Sequence, residues 1–202
     1  DTKIKKMLSH KKSLNILKKT NALLEGHFIL SSGLHSSKYV QCAKLLSFPR
    51  LANKLSRSLA NKIKKNFKNI DLILSPAIGG IVIGYEIGRL LNKENIFCER
   101  VNGKFKLRRG FFIKKNYKVL IVEDVITTGK SSLECAKIVT KSKAKLLGYA
   151  CIIDRSNKNN LKIKNKKIIS QVKIKVPTFK KNKLPLSLKR ISPNSPGTRR
   201  LK

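Results

Sequence analysis

The chain has no tryptophan, a single methionine, and 10 acidic side chains against 47 basic ones. It contains no run near the roughly 20 apolar residues that a membrane-spanning helix needs, and no apolar secretory segment opens it. A membrane-embedded or secreted protein is therefore not expected. Four cysteines, Cys42, Cys98, Cys135 and Cys151, lie far apart with no close pairs. That spacing argues against zinc ligation and a disulfide framework and fits reduced thiols in a cytoplasmic protein. Cys135 and Cys151 sit in apolar runs and read as packing residues.

What is abundant is positive charge, +37 over 202 residues, which invites a nucleic-acid partner. Three features weaken that reading. Of the basic residues 37 are Lys and 10 are Arg, whereas phosphate and base readers lean on Arg. The lysines are spread through the chain among many Asn and Ile, and no single block holds them. A solvated surface is the expectation and nucleic acid is not an expected partner, although residues 157–167 are dense enough in Lys and Asn to suggest a basic flap. The length suits one α/β domain with a full core.

The most constrained stretch is Val119-Leu120-Ile121-Val122-Glu123-Asp124-Val125-Ile126-Thr127-Thr128-Gly129-Lys130-Ser131-Ser132. Four apolar residues in a row, rich in β-branching, predict a strand buried on both faces of a parallel sheet. Two carboxylates stand where that strand is expected to end, and a helix is expected from Leu133. Thr127, Thr128, Gly129, Lys130 and Ser131 would offer amides, hydroxyls and a helix N-terminus to a phosphate monoester. Ionised Glu123 and Asp124 accept hydrogen bonds only, which suits sugar hydroxyls or hydrated magnesium. Gly129-Lys130-Ser131 looks like the end of a nucleotide-triphosphate loop, but Asp124 stands where that motif needs its first glycine. The combination describes a pocket for a phosphorylated ribose.

A second buried strand, Leu72-Ile73-Leu74, runs into Ser75-Pro76-Ala77-Ile78-Gly79-Gly80, with a helix expected from Ile81. The bare backbone at Gly79 and Gly80 lets amides approach a diphosphate. Upstream, residues 1–19 carry Ile4, Met7, Leu8, Leu14 and Leu17 at helical spacing. Residues 25–40 form two short apolar pieces about a Ser/Gly turn, which predicts a β-hairpin. His27 and His35 read as surface or hairpin-packing residues without a chemical role. Ser47 is expected to cap a helix begun by Pro49, with Leu51, Leu55, Leu59 and Ile63 on its apolar face. Residues 81–91 are apolar nearly all round, as in a helix packed on several sides. Residues 101–110 are basic and glycine-flanked, which predicts a mobile loop. Arg155 follows the apolar strand expected over residues 146–153, at the sheet edge where α/β proteins bind ligands. A further strand is expected over residues 168–176.

The stretch from Val119 resembles the phosphoribosyl-diphosphate (PRPP) motif of type I phosphoribosyltransferases, and the hairpin residues Phe28, Leu30, Ser32, Gly33 and Tyr39 resemble the hood of the orotate-specific members. The resemblance implies an α/β fold: a central mostly parallel sheet flanked by helices in one domain, 1–202, with a small hood from about residues 1–45 and the late strands. It implies transfer of the phosphoribosyl group from PRPP to orotate, giving orotidine monophosphate and diphosphate. Mg2+ would be held mainly by PRPP and not directly by side chains. A homodimer is implied, in which loop 101–110 reaches the neighbouring site.

By the same resemblance Arg100, Lys104 and Asp124 are catalytic. PRPP would be bound by Arg100, Lys104, Lys106, Glu123, Asp124, Val125, Ile126, Thr127, Thr128, Gly129, Lys130 and Ser131 with Gly79 and Gly80. Thr127 and Arg155 would bind orotate, Arg155 through the carboxylate. A cis peptide is expected near Ala77-Ile78, and residues 195–200 resemble the family's ending. Ser31, Ile78, Val101 and Lys106 depart from residues found in some members. Two alternatives remain: a phosphoribosyltransferase for another base, and a PRPP-sensing, nucleic-acid-binding regulator on the same fold.

Overall fold

The computed structural model describes residues 7–30, 32–157 and 159–196. Helix α1 (His10–Lys19) follows Ser9, whose side chain accepts the Lys12 amide, and its last turn carries Lys18 and Lys19, the charge a helix C-terminus favours. It is the second half of the helix expected over residues 1–19; residues 1–6, Ile4 among them, lie outside the described part, as do Ser31 and residues 197–202.

Strands β1 (Leu23–Ile29) and β2 (His35–Val40) form the antiparallel hairpin that the Ser/Gly turn predicts. His27 Nε2 and His35 Nδ1 lie 2.7 Å apart, and His27 Nδ1 bonds the Ile191 carbonyl at 2.8 Å, so both imidazoles tie the hairpin to the C-terminal segment. Helix α2 (Cys42–Leu46) then precedes α3 (Pro49–Asn66). Here Ser47 does not cap α3. It closes α2, its hydroxyl donating to the Lys44 carbonyl, and Phe48 takes the capping position before Pro49. Leu55, Leu59 and Ile63 are fully buried, and Leu51 packs at the margin of the same core.

Next come β3 (Leu72–Pro76), α4 (Gly79–Leu91), β4 (Glu94–Val101), β5 (Lys104–Leu107), β6 (Lys118–Ile126), α5 (Lys130–Lys141), β7 (Lys145–Asp154), β8 (Ile168–Lys173), β9 (Thr178–Phe179) and α6 (Leu186–Lys189). The main sheet has the order β5-β4-β3-β6-β7-β8, parallel except for β5. A small sheet, β1-β2-β9, stands apart from it. β6 alternates between two cores. Leu120 and Val122 meet the side built from α1, α3 and α4, while Val119 and Ile121 meet the side of α5. Burying each such side chain contributes about 1.5–3 kcal/mol, which makes this strand the fixed reference for its carboxyl end.

Several expectations need correction. β6 does not stop before the acidic pair: it runs on through Glu123, Asp124, Val125 and Ile126 because β7 pairs with it as far as Ile126↔Asp154. Both following helices start earlier than expected, α4 at Gly79 and α5 at Lys130. Helix α4 is not enclosed on all sides; Ile83 and Ile87 are buried, but Val82 and Tyr85 are exposed at 53% and 65%. Residues 101–110 are not a loop throughout, since β5 pairs with β4 about a turn at Asn102-Gly103, with Phe105 and Leu107 turned toward the second core. The basic stretch 157–167 is anchored and not a free flap, because Leu161 and Ile163 pack into that core. β8 ends at Lys173, short of Val176. Two of the cysteines, distant in sequence, meet in space, with the Cys98 and Cys135 Sγ atoms 3.1 Å apart, yet all four are free thiols.

Candidate active site

β6 pairs with β3 only from Leu72↔Val119 to Leu74↔Ile121, whereas its pairing with β7 continues to Ile126. The two neighbours therefore separate just before Glu123, and a cavity of 1090 Å³ opens in the gap. Gly79, Gly80, Arg100, Glu123, Asp124, Val125, Lys130 and Ser131 all line it. A smaller cavity of 140 Å³ continues from it along Glu123 and Val125 to Ser131. The sheet thus brings the two expected phosphate-binding turns to one opening.

The turn after β6 is held from behind. Gly129 adopts φ +74°, a left-handed conformation that glycine accepts without steric cost. A Cβ there would meet Ile163 at 2.7 Å. The Thr128 carbonyl accepts from Lys162 N–H (2.8 Å) and the Gly129 carbonyl from Leu133 N–H (2.9 Å). With these carbonyls engaged, the first-turn amides of α5, which have no intrahelical acceptor, form the donor end of the turn, where Lys130 N–H donates to Thr128 Oγ1 at 3.3 Å. Across the opening, the Ala77-Ile78 peptide is cis. Gly79 lies so close to Asp124 that a Cβ would stand 2.7 Å from its carboxylate.

The acids differ. Glu123 is 7% exposed and accepts a hydrogen bond from the Ser132 hydroxyl. Burial pushes its carboxyl up to about 7, opposed by the Ser132 hydroxyl and reinforced by the neighbouring Asp124 charge. Asp124 is half-buried and accepts the Val125 N–H at 2.9 Å; burial raises it too, with backbone amides pulling the other way.

The cations are divided. Arg100 reaches the cavity rim, where it pairs with Glu134 at 2.8 Å and stacks over Phe105. Lys104 and Lys106 share the exposed face of β5 and do not line the cavity. Arg155 is half-buried, its amide bonded to the Ile126 carbonyl at 2.9 Å; burial pushes its guanidinium below the usual range, opposed by Tyr39 of β2. Its guanidinium does not pair with the adjacent Asp154, which binds Lys173 at 3.3 Å and the Ser156 amide. Arg155 Nε is buried with no hydrogen-bond partner among the described residues.

Sequence reasoning missed three residues at this site. Ser132, Glu134 and Tyr39 each act on a residue remote in sequence. Their type alone carries no such signal; only the helical offset of Ser132 from Ser131 hints that it turns inward.

The phosphoribosyl transferase domain family matches residues 43–183. The orotate phosphoribosyltransferase of Parvibaculum lavamentivorans is 42% identical over 195 residues, 96% of this chain and all of that protein. The chain belongs to the orotate phosphoribosyltransferase family. Among solved structures, the orotate phosphoribosyltransferase of Aeropyrum pernix superposes with a TM-score of 0.65 at 21% identity, over 79% of this chain and 92% of that one. The adenine phosphoribosyltransferase of Thermoanaerobacter pseudethanolicus gives 0.59 at 17%, over 68% and 88%. Likeness at that level shows the shared phosphoribosyltransferase fold and does not select a base, so membership of the orotate branch rests on the 42% identity. Among the described residues no helix is long and apolar enough to cross a membrane.

Proposed function

We propose that the protein catalyses the reversible transfer of the phosphoribosyl group of PRPP to orotate, giving orotidine 5′-monophosphate and diphosphate, a step of UMP biosynthesis in the cytoplasm. The observation that carries this reading is the pairing of an acidic doublet above a hydroxyl-lined helix N-terminus with a half-buried arginine on the adjoining strand end whose buried Nε has no acceptor among the described residues. A buried guanidinium nitrogen without an acceptor is costly, and the orotate carboxylate supplies a bidentate one. A purine or uracil offers no carboxylate, which weighs against another base.

In this reading the anomeric carbon gains positive charge as diphosphate leaves, and catalysis is placement and electrostatics. Thr127, Thr128, Gly129, Lys130 and Ser131 bind the 5′-phosphate. Glu123 and Asp124 accept the ribose hydroxyls and steady the cationic ring. Gly79 and Gly80 present amides to the diphosphate, and Thr127 with Arg155 orients the base. Mg2+ would enter with PRPP and be held mainly by its diphosphate, supplying charge that offsets the leaving group.

Arg100, Lys104 and Lys106 offset charge on the leaving group. Because Lys104 and Lys106 face away from their own cavity, they act on the site of a second copy in a homodimer. An apolar groove of 460 Å³ between α3 and α4, lined by Pro49, Ala52, Val82 and Tyr85, supports such pairing. The test is the fall of orotate absorbance on adding PRPP and Mg2+. Unchanged absorbance, with no thermal stabilisation by PRPP, overturns the proposal.

A further inference from the structure

Two serines open α5 side by side and face opposite ways. Ser131 lines the cavity, whereas Ser132, fully buried, turns back and donates to Glu123 Oε1. Successive helical positions are separated by about 100°, so one hydroxyl meets the ligand and the next meets the strand beneath. Among the described residues Ser132 is the hydrogen-bond donor to this carboxylate. The titratable groups around Glu123 are Asp124 beside it on β6, Tyr149 and Cys151 on β7, and Cys135 on α5. None of these is cationic. Lys130, which lines the same cavities, is exposed.

We propose that Ser132 is a positioning residue that fixes the Glu123 carboxylate as an ionised acceptor for a ribose hydroxyl. One carboxylate oxygen accepts the serine hydrogen bond, and Glu123, which lines both cavities, keeps the other for the sugar. A protonated Glu123 would present that hydroxyl with a competing donor and only a neutral acceptor, so the charged form binds the sugar more strongly. Burial opposes the charge, and the serine hydroxyl is the group that favours it. The inference rests on the phosphoribosyl-transfer reading above, since it assigns the sugar as the group Glu123 meets.

The experiment measures kcat/KM for PRPP with the full-length protein between pH 6 and 9, alongside thermal unfolding. Ser132→Ala is expected to lower kcat/KM about tenfold at pH 7, the size of one hydrogen bond to a charged group, and to recover most of that by pH 9. Its acid limb therefore moves to higher pH. Ser132→Cys, matched in size and a weaker donor, is expected to place its limb between the two, and it decides the matter alone if Ser132→Ala does not fold. Variant profiles that parallel the wild type, lowered equally at every pH or not at all, overturn the role of Ser132. A wild-type protein that leaves orotate untouched overturns the transfer reading instead.

Discussion

Replacing Gly79 with alanine is expected to separate activity from stability. The new Cβ would lie 2.7–2.9 Å from the Asp124 carboxylate, whereas ordinary contacts fall at 3.4–4 Å. Gly79 does not hold a left-handed φ, so its backbone accepts alanine, and the group that must give way is the end of a half-buried side chain. Asp124 would retreat by roughly 0.7 Å, the shortfall from 2.7 Å to ordinary contact, from the place proposed for the sugar. Misplacement near 1 Å costs about 10²-fold, which corresponds to about 2.7 kcal/mol of transition-state stabilisation. Folding stability should change by less than about 1 kcal/mol, because Gly→Ala at a compatible site restricts the unfolded chain. The assay is initial-rate consumption of orotate with PRPP and Mg2+, beside denaturant unfolding of the same preparation. Wild-type kcat/KM in Gly79→Ala, or a loss matched by unfolding, would refute the reasoning.

Asp124→Asn should cost turnover far more than stability, and equal losses in rate assays and melting curves would contradict its role at the ribose. Lys104→Ala subunits mixed with Arg155→Ala subunits should regain part of the wild-type rate, since one of the two mixed sites then has both residues; no recovery on mixing means that each site is self-contained. Glu123 titrates at about 7 in the folded protein against 4.5 for an ordinary glutamate, so the native state binds that proton more tightly. Its contribution to stability is complete below about pH 4.5 and is lost as pH rises through 7, about 3 kcal/mol across that window. Glu123→Gln should therefore flatten the fall in unfolding free energy between pH 4.5 and 7; a slope identical to wild type counts against the buried-acid account.

Much of the architecture was legible because its signals are local. The Val119 to Val122 run, the Ser/Gly turn after Leu30, and the apolar spacing of Leu55, Leu59 and Ile63 each specify one element. The errors cluster where distant partners decide. Glu123 and Asp124 look like the end of a strand, yet β7 supplies hydrogen bonds beyond them. Lys104 to Leu107 reads as a charged loop, yet β4 pairs with it and Arg100 lies over Phe105. Ser47 had two helices to serve and caps the first as its C-terminal residue. That Gly79, Gly80, Glu123, Asp124, Lys130 and Ser131 would meet at one opening was legible because two strand-to-helix turns on neighbouring strands leave the sheet at the same end. Ser132 was not, because its partner lies nine residues back on another element.

The parting of β3 from β6 gives the ligand pocket an asymmetric foundation. One wall, β6, is laddered to β7 along its whole length to Ile126, whereas the opposite wall, from Pro76 to Gly80, owes no ladder bonds to β6 at that level. That freedom is local: an exchange at the exposed Ile78 can reshape the second wall without pressing on β6, whereas a side chain added at Gly79 or Gly80 meets Asp124 or the Val122 carbonyl. Ile78 is therefore the position where selection or engineering can vary this opening at least cost to the acidic end of β6.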